Sequence, residues 1–293
     1  MDRLLQQTLD GLASGALYGA LALAIVLVFR SSRLVNFAQG EMAMVATYVA
    51  WQFQAWGLGV WMSVLVAMVA AFAFGALIER VLVRPLVDTS HLTVVIVTLG
   101  LLLVLNSGAG WVWGHLTKEF PPMFGDGVVS VAGASMSWQS LGIMGTVVVV
   151  AGLLFVLFQR TTLGLTMRAA SSNAESARLA GIPVGRMLGL SWGLAAAVGA
   201  LVGALVAPQL FLSPNLMASL LLYAFAAATL GGFDSPVGAL VGGVIVGLVE
   251  NLAGTYVSWI GADFKQALAL VIILVVLLVR PQGLFGTVQV TRV

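Results

Sequence analysis

Nine stretches of almost uninterrupted hydrocarbon, near residues 12–29, 36–55, 61–83, 92–114, 139–158, 187–207, 217–230, 237–257 and 265–280, leave this chain few ways to fold. A bilayer core of about 30 Å is crossed by roughly 20 apolar residues in a helix. Backbone groups in hydrocarbon must be bonded internally, which leaves helices or closed barrels. Barrel strands alternate in character, and these runs do not. Mean hydropathy is +1.07 and only 8% of residues are charged, against about 25% in soluble domains. The sequence therefore predicts an all-α polytopic membrane protein, one transmembrane domain over residues 1–293 with a bundle of 8–9 transmembrane helices. The 217–230 run is short for a full crossing, and a tilted, a re-entrant or a continuous segment all fit it.

Arginine and lysine placement sets the orientation, because cytoplasmic loops hold the excess of positive charge. With nine crossings and an outside N-terminus, Arg30, Arg33, Arg80, Arg84, Arg160, Arg168, Arg178, Arg186, Arg280 and Arg292 all fall inside. Only Arg3, Lys118 and Lys265 lie opposite. Adding or removing one crossing scatters the clusters over both faces. The N-terminus has no cationic region or small-residue cleavage site, so the first run reads as a span rather than a removable signal. The longest outside loop, near 115–138, holds Pro121, Pro122 and several glycines, and is expected to pack as a short cap against the outer face, serving either as a passive connector or as a docking surface for an external partner.

The absence of cysteine excludes disulfides and thiolate metal sites. His91 and His115 are the two imidazoles. With no clustered carboxylates they form no convincing acid/base pair, so no enzyme, metal or cofactor is expected. A phosphate-binding loop needs lysine between glycine and Ser or Thr, but Lys118 sits in LTKEF and Lys265 in DFKQA. Any energy from ATP must come through a partner.

Residues 168–186, RAASSNAESARLAGIPVGR, interrupt the hydrocarbon on the predicted cytoplasmic side. Ser172 and Glu175 have the spacing of a capping box. Alanines and Leu179 favour helix, Gly181 suits the position just past its end, and Pro183 forbids continuation. The pattern predicts a helix over 172–180. Such a short helix is marginal alone. It also lacks the bulky anchors of a membrane-surface helix, whereas Ala174, Ala177 and Ala180 suit a groove on another protein.

The run GLTMRAASSNAESARLAGIPVGR, from Gly164 to Arg186, resembles the cytoplasmic loop of permease subunits of bacterial ABC importers for branched-chain amino acids. NFAQGE, from Asn36 to Glu41, resembles that family's Asn-Phe-Ala-His-Gly-Glu box with Gln39 in the histidine's place. ALVGGVIVGLVENL and LVRPQGLFG resemble its last two spans and its terminus. The resemblance implies a coupling loop near 160–186 that docks on an ABC ATPase, with Gly164, Arg168, Ala169, Ser172, Asn173, Glu175, Ala177, Leu179, Gly181 and Arg186 as its residues. It further implies alternating access, ATPase subunits, a second and related permease, a periplasmic or surface solute-binding protein, and a place in the bacterial cytoplasmic (inner) membrane. Branched-chain or other hydrophobic amino acids are the implied solutes. Urea or short amides, or a stand-alone ion-coupled transporter, are the alternatives.

Ionisable groups inside a membrane are costly and usually functional. Asn36, Gln39, Gly40 and Glu41 stand at the start of the second run, and Glu250 with Asn251 interrupts the eighth. These six are the candidate lining of a translocation path. For Glu41 the alternative is a clamp on the turn, through the backbone or Arg33. For Glu250 and Asn251, and for Asn106 with Ser107, a polar bond to a facing helix is the simpler role. Glu79, Arg80 and Arg84 read as an anchor at a helix end. Gly199 with Gly203, Gly238 with Gly242, and Gly243 with Gly247 have the spacing of close helix packing. GGFDSP, from Gly231 to Pro236, reads as a turn in which Asp234 or Ser235 caps the next helix.

Overall fold

The computed structural model describes residues 2–86, 90–131, 133–257 and 264–286. Among them run α1 Asp2–Ser32, α2 Gln39–Ala55, α3 Val60–Ile78, α4 His91–Trp113, β1 Val128–Val131, β2 Ala134–Ser137, α5 Trp138–Arg160, α6 Thr162–Ser172, α7 Ala174–Leu179, α8 Val184–Leu210, α9 Ala218–Gly231, α10 Pro236–Tyr256 and α11 Lys265–Val279. Every predicted run falls on a helix. The helices α1, α4, α5, α8, α10, and α3 with its continuation to Leu86, are long and apolar enough to cross a membrane. With 14 and 15 residues, α9 and α11 reach only about 21–23 Å. The α9 helix is separate from its neighbours, ending where Gly232 takes a φ of 99°. Arg292 lies outside the described residues.

The first helix starts well before its apolar run because its polar beginning is tied down. The Gln6 amide donates to Asp10 one turn on (3.0 and 3.1 Å) and to the Ser135 carbonyl (2.9 Å), while the Ser135 N–H donates back to Gln6 Oε1 (2.8 Å). Ser135 belongs to the antiparallel hairpin β1–β2, where Val128 pairs with Ser137. Elsewhere in the same long loop, Lys118 and Leu212 exchange backbone bonds (2.8 and 2.9 Å), and the Lys118 ammonium lies 4.4 Å from the centre of the Trp51 ring. Two stretches of this loop are thus held by backbone pairing, each within its own unit.

By contact the chain forms two compact units: Met1–Val26 with Gly125–Met144 and Ser219–Val293, and Leu27–Phe124 with Gly145–Ala218. In the first, glycines let α10 lie directly on α1. A Cβ on Gly15 would fall 2.8 Å from Gly243 O and Val244 Cα, and one on Gly243 or Gly247 would strike the backbone of Gly19, Gly15 or Gly11. The other face of α10 uses Gly238 and Gly242 against Gly231 and Ala227 of α9. Ser235 caps α10 by accepting from the Gly238 N–H (2.9 Å), and Pro236 takes its first turn, as the GGFDSP pattern predicts. The ending RPQGLFG folds back on α9. Leu284 and Phe285 N–H groups donate to the carbonyls of Leu230 and Gly231 (2.7 and 3.1 Å), which the end of a helix would otherwise leave unpaired.

In the second unit α8 is the hub. Gly75 of α3 meets the Trp192 carbonyl, and Gly193 meets the Phe72 ring and carbonyl, so a Cβ at either would lie under 3.0 Å from its neighbour. Gly199 and Gly203 face a stripe on α2 made of Gln39, Ala43 and Thr47. The most apolar 18-residue windows of α1 and α8 are 83% buried, against 17% for α4 and α5. Helices hydrophobic on all sides thus separate into enclosed ones and ones whose apolar faces are exposed.

Candidate functional site

The predicted coupling segment folds as two short helices rather than one. Thr161 caps α6 by accepting from the Gly164 N–H (3.1 Å). Gly164 is required because α6 doubles back so tightly that a Cβ would collide with the Leu157 and Phe158 carbonyls of α5. Buried Met167 and Ala170 prolong α6 through Ser172. The capping box therefore does not form. Asn173 is the cap of α7, its Oδ1 accepting from the Ser176 N–H (2.9 Å), and Ser172 is the last residue of α6. Glu175 stands in the first turn of α7.

The end of α7 follows its sequence signal closely. Gly181 has a φ of 79°. Its N–H donates to Arg178 O (3.0 Å) and that of Ile182 to Ala177 O (2.9 Å), the paired bonds of a Schellman stop. Ala177 is the buried residue of α7 and packs with Ala170 and Val184, with Ile182, Met187 and Leu188 around them. Ser172, Asn173, Glu175, Gly181 and Arg186 are exposed, and Leu179 is 86% exposed. Arg168 and Ala169 are half-buried, and Arg168 Nη1 donates to Gln159 Oε1 (3.1 Å), back toward the base of α5. Of the ten predicted coupling residues, Gly164, Arg168, Asn173, Ala177 and Gly181 shape the element, while Ser172, Glu175, Leu179 and Arg186 are exposed.

The NFAQGE segment is buried although it is not helical at its start. The chain leaves α1 at Arg33, whose φ is 57°. Asn36 and Gln39 are 0% exposed and Glu41 6%. Asn36 replaces the missing helical bonds: its Oδ1 accepts from the Ala38 N–H (3.0 Å) and its Nδ2 donates to Gln39 Oε1 (3.2 Å). Gln39 Nε2 in turn donates to the Ala195 carbonyl of α8 (2.9 Å). Gly40 is buried beside them in the first turn of α2. Glu41 Oε2 accepts from Asn106 Nδ2 of α4 (3.3 Å), which also donates to the Pro214 carbonyl (2.9 Å). Freed backbone is tolerated in a membrane where protein receives its polar groups, and here Asn36 does so for the Ala38 N–H.

Glu250, 8% exposed, accepts a 2.6 Å bond from the Tyr18 hydroxyl of α1, and Tyr18 stacks on Tyr223 of α9 at 4.7 Å. This is the facing-helix bond expected for Glu250. Asn251 does not share in it, since its Nδ2 donates to Gly247 O within its own helix (3.0 Å). Tyr18→Phe should lower the thermal midpoint by the equivalent of about 1–2 kcal/mol, and Glu250→Gln by less, because the amide oxygen still accepts; melting curves in detergent measure both.

Glu79, Arg80 and Arg84 are more than an anchor. Glu79–Val83 is a π-helical turn continuing α3, and Glu79 is 0% exposed. Arg84 grips it with two bonds, Nε to Oε1 (3.1 Å) and Nη2 to Oε2 (2.6 Å). A separation of five residues suits no α-helical pair, but a π turn closes i to i+5. Only the structure reveals this pairing, though Pro85 immediately after Arg84 marks where helix geometry fails.

Comparison with known proteins follows the same outline. The family described as the branched-chain amino acid transport system permease component matches residues 7–279. The chain is 30% identical to LivH, the high-affinity branched-chain amino acid transport system permease protein of Escherichia coli K12, over 99% of this chain and 97% of that one. It is also 30% identical to the corresponding BraD of Pseudomonas aeruginosa, covering 99% and 98%. Among solved structures, PsaBC from Streptococcus pneumoniae in complex with Fab superposes with a TM-score of 0.51 at 17% identity, over 96% of this chain and 93% of that one. At that identity the likeness concerns the fold alone.

Proposed function

The chain belongs to the family of branched-chain amino acid transport permease components, and on that premise we propose that it is the transmembrane subunit of an ATP-driven importer of branched-chain or other hydrophobic amino acids. It works in the bacterial cytoplasmic membrane by alternating access, as one permease domain beside a second, related permease. ATP is hydrolysed in separate ABC subunits, and a periplasmic or surface binding protein delivers the solute.

One observation carries this reading: α7 is held from below by Ala177 and stopped by Gly181, yet leaves Glu175 and Leu179 outward. An 86% exposed leucine on a locked, mixed-charge helix is poorly explained by solvent or headgroups and well explained by a groove on a partner. The polar groups at the start of α2, Glu41 above all, supply the remaining part of the proposal as candidate lining of a route, and Glu250 with Asn251 of α10 are separate candidates in their own unit.

Affinity purification from the native membrane should bring down an ABC ATPase. Gly181→Pro, which removes the N–H bonded to Arg178 O and forbids a φ of 79°, and Glu175→Lys should each leave the protein in the membrane while cutting ATP-driven uptake tenfold or more, about 1.4 kcal/mol of coupling. Wild-type uptake in both variants, or accumulation by the chain alone on an ion gradient, would remove the assignment.

A further inference from the structure

We propose that Arg84 is a positioning residue that ties the base of the coupling element to α3, so that motion of α7 is delivered to two membrane helices rather than one. This rests on the permease reading above. Arg84 Nη2 bonds Glu79 Oε2 and also donates to the Gly185 carbonyl (2.5 Å), in the first turn of α8 and two residues beyond Pro183. Its planar guanidinium can serve both acceptors at once, which a lysine ammonium does with less directional control.

The surroundings are built for that grip. A Cβ on Gly185 would lie 3.0 Å from Arg84 Cζ and 3.1 Å from Nη1, and one on Gly189 would lie 3.3 Å from Glu79 Oε2. Two glycines one turn apart thus make room on α8 for the ion pair. On the α3 side the carboxylate is fully buried, so the guanidinium, 40% exposed, is the yielding partner. The π turn is what lets Glu79 and Arg84 converge, and such turns are frequent at functional sites. An anchor that merely marks the positive side would need neither the buried carboxylate nor the bond to Gly185.

Gly185→Ala and Arg84→Lys test this in the assembled importer, reconstituted in liposomes with its ATPase and binding protein and supplied with leucine and ATP. Both retain the two charges. Alanine is also the stronger helix former, so Gly185→Ala should leave the thermal midpoint unchanged or raised. Leucine taken up per ATP hydrolysed, normalised to assembled complex, should nevertheless fall about fivefold or more in each, the lower end of typical coupling between sites. A structural role alone predicts the opposite for Gly185→Ala: equal or greater stability and equal uptake. If both variants keep the wild-type ratio, or if the ratio falls only where stability falls, the proposal is overturned. A wild type whose uptake ignores ATP overturns the permease reading, and this one with it.

Discussion

Gly243→Leu is expected to abolish recovery of folded protein. The Cβ alone would collide with Gly19 Cα and N and with Gly15 O, all backbone atoms that no rotamer change can move. The added branches would force α1 and α10 apart along the seam that Gly11, Gly15, Gly243 and Gly247 close. Overpacking of a tight core costs about 1–3 kcal/mol and at times more. A side chain against bare backbone belongs at the upper end, a large share of a total stability of about 5–15 kcal/mol. Fluorescence-detected size exclusion after mild solubilisation measures the monodisperse fraction. Gly108→Ala on α4 is the control, because nothing lies within 4 Å of its Cβ position. A monodisperse Gly243→Leu protein melting with the wild type would mean that this seam is not where the energy lies.

Asn36→Leu should be nearly as damaging, for a polar reason. It removes the acceptor of the Ala38 N–H and the donor to Gln39 Oε1, in a segment where Asn36 and Gln39 are wholly buried. Each buried group left without its partner costs about 1–3 kcal/mol, so the sum is about 2–6 kcal/mol. Asn36→Asp keeps the acceptor but buries a carboxylate against the Gln39 oxygen, so it should lose at least as much. Gln39→His should be tolerated, since an imidazole N–H can donate to the Ala195 carbonyl and histidine is what the resembling box carries. Thermal melts of the three variants order them. An Asn36→Leu variant as stable as the wild type would show that water, not Asn36, satisfies this backbone.

These expectations separate what single segments say from what their neighbours add. The predicted runs became helices because about twenty apolar residues in hydrocarbon have no other way to pair their backbone. Gly181, Pro183, Ser235 and Pro236 end or begin helices where their signals place them, since those signals are local conformational preferences. The cap of α7 moved from Ser172 to Asn173 because Met167 and Ala170 found buried positions and carried α6 further than propensity indicates. Tertiary packing outweighs a cap of about 1 kcal/mol. The spacing of Gly243 and Gly247 marked a packing face, but the matching Gly11, Gly15 and Gly19 on α1 became visible only when the two helices met.

By itself, then, the sequence determined the class of fold, the helices, the sharp stop of α7 and the family to which the chain belongs, because each depends on composition or on short runs of neighbouring residues. Tertiary structure alone decided that buried Gln39 reaches the Ala195 carbonyl of α8, that Glu250 meets Tyr18, that RPQGLFG caps α9, and that Arg84 reaches both Glu79 and Gly185. Those are pairings whose polar groups, once out of water, must take whatever partner the packing of apolar helices brings within reach.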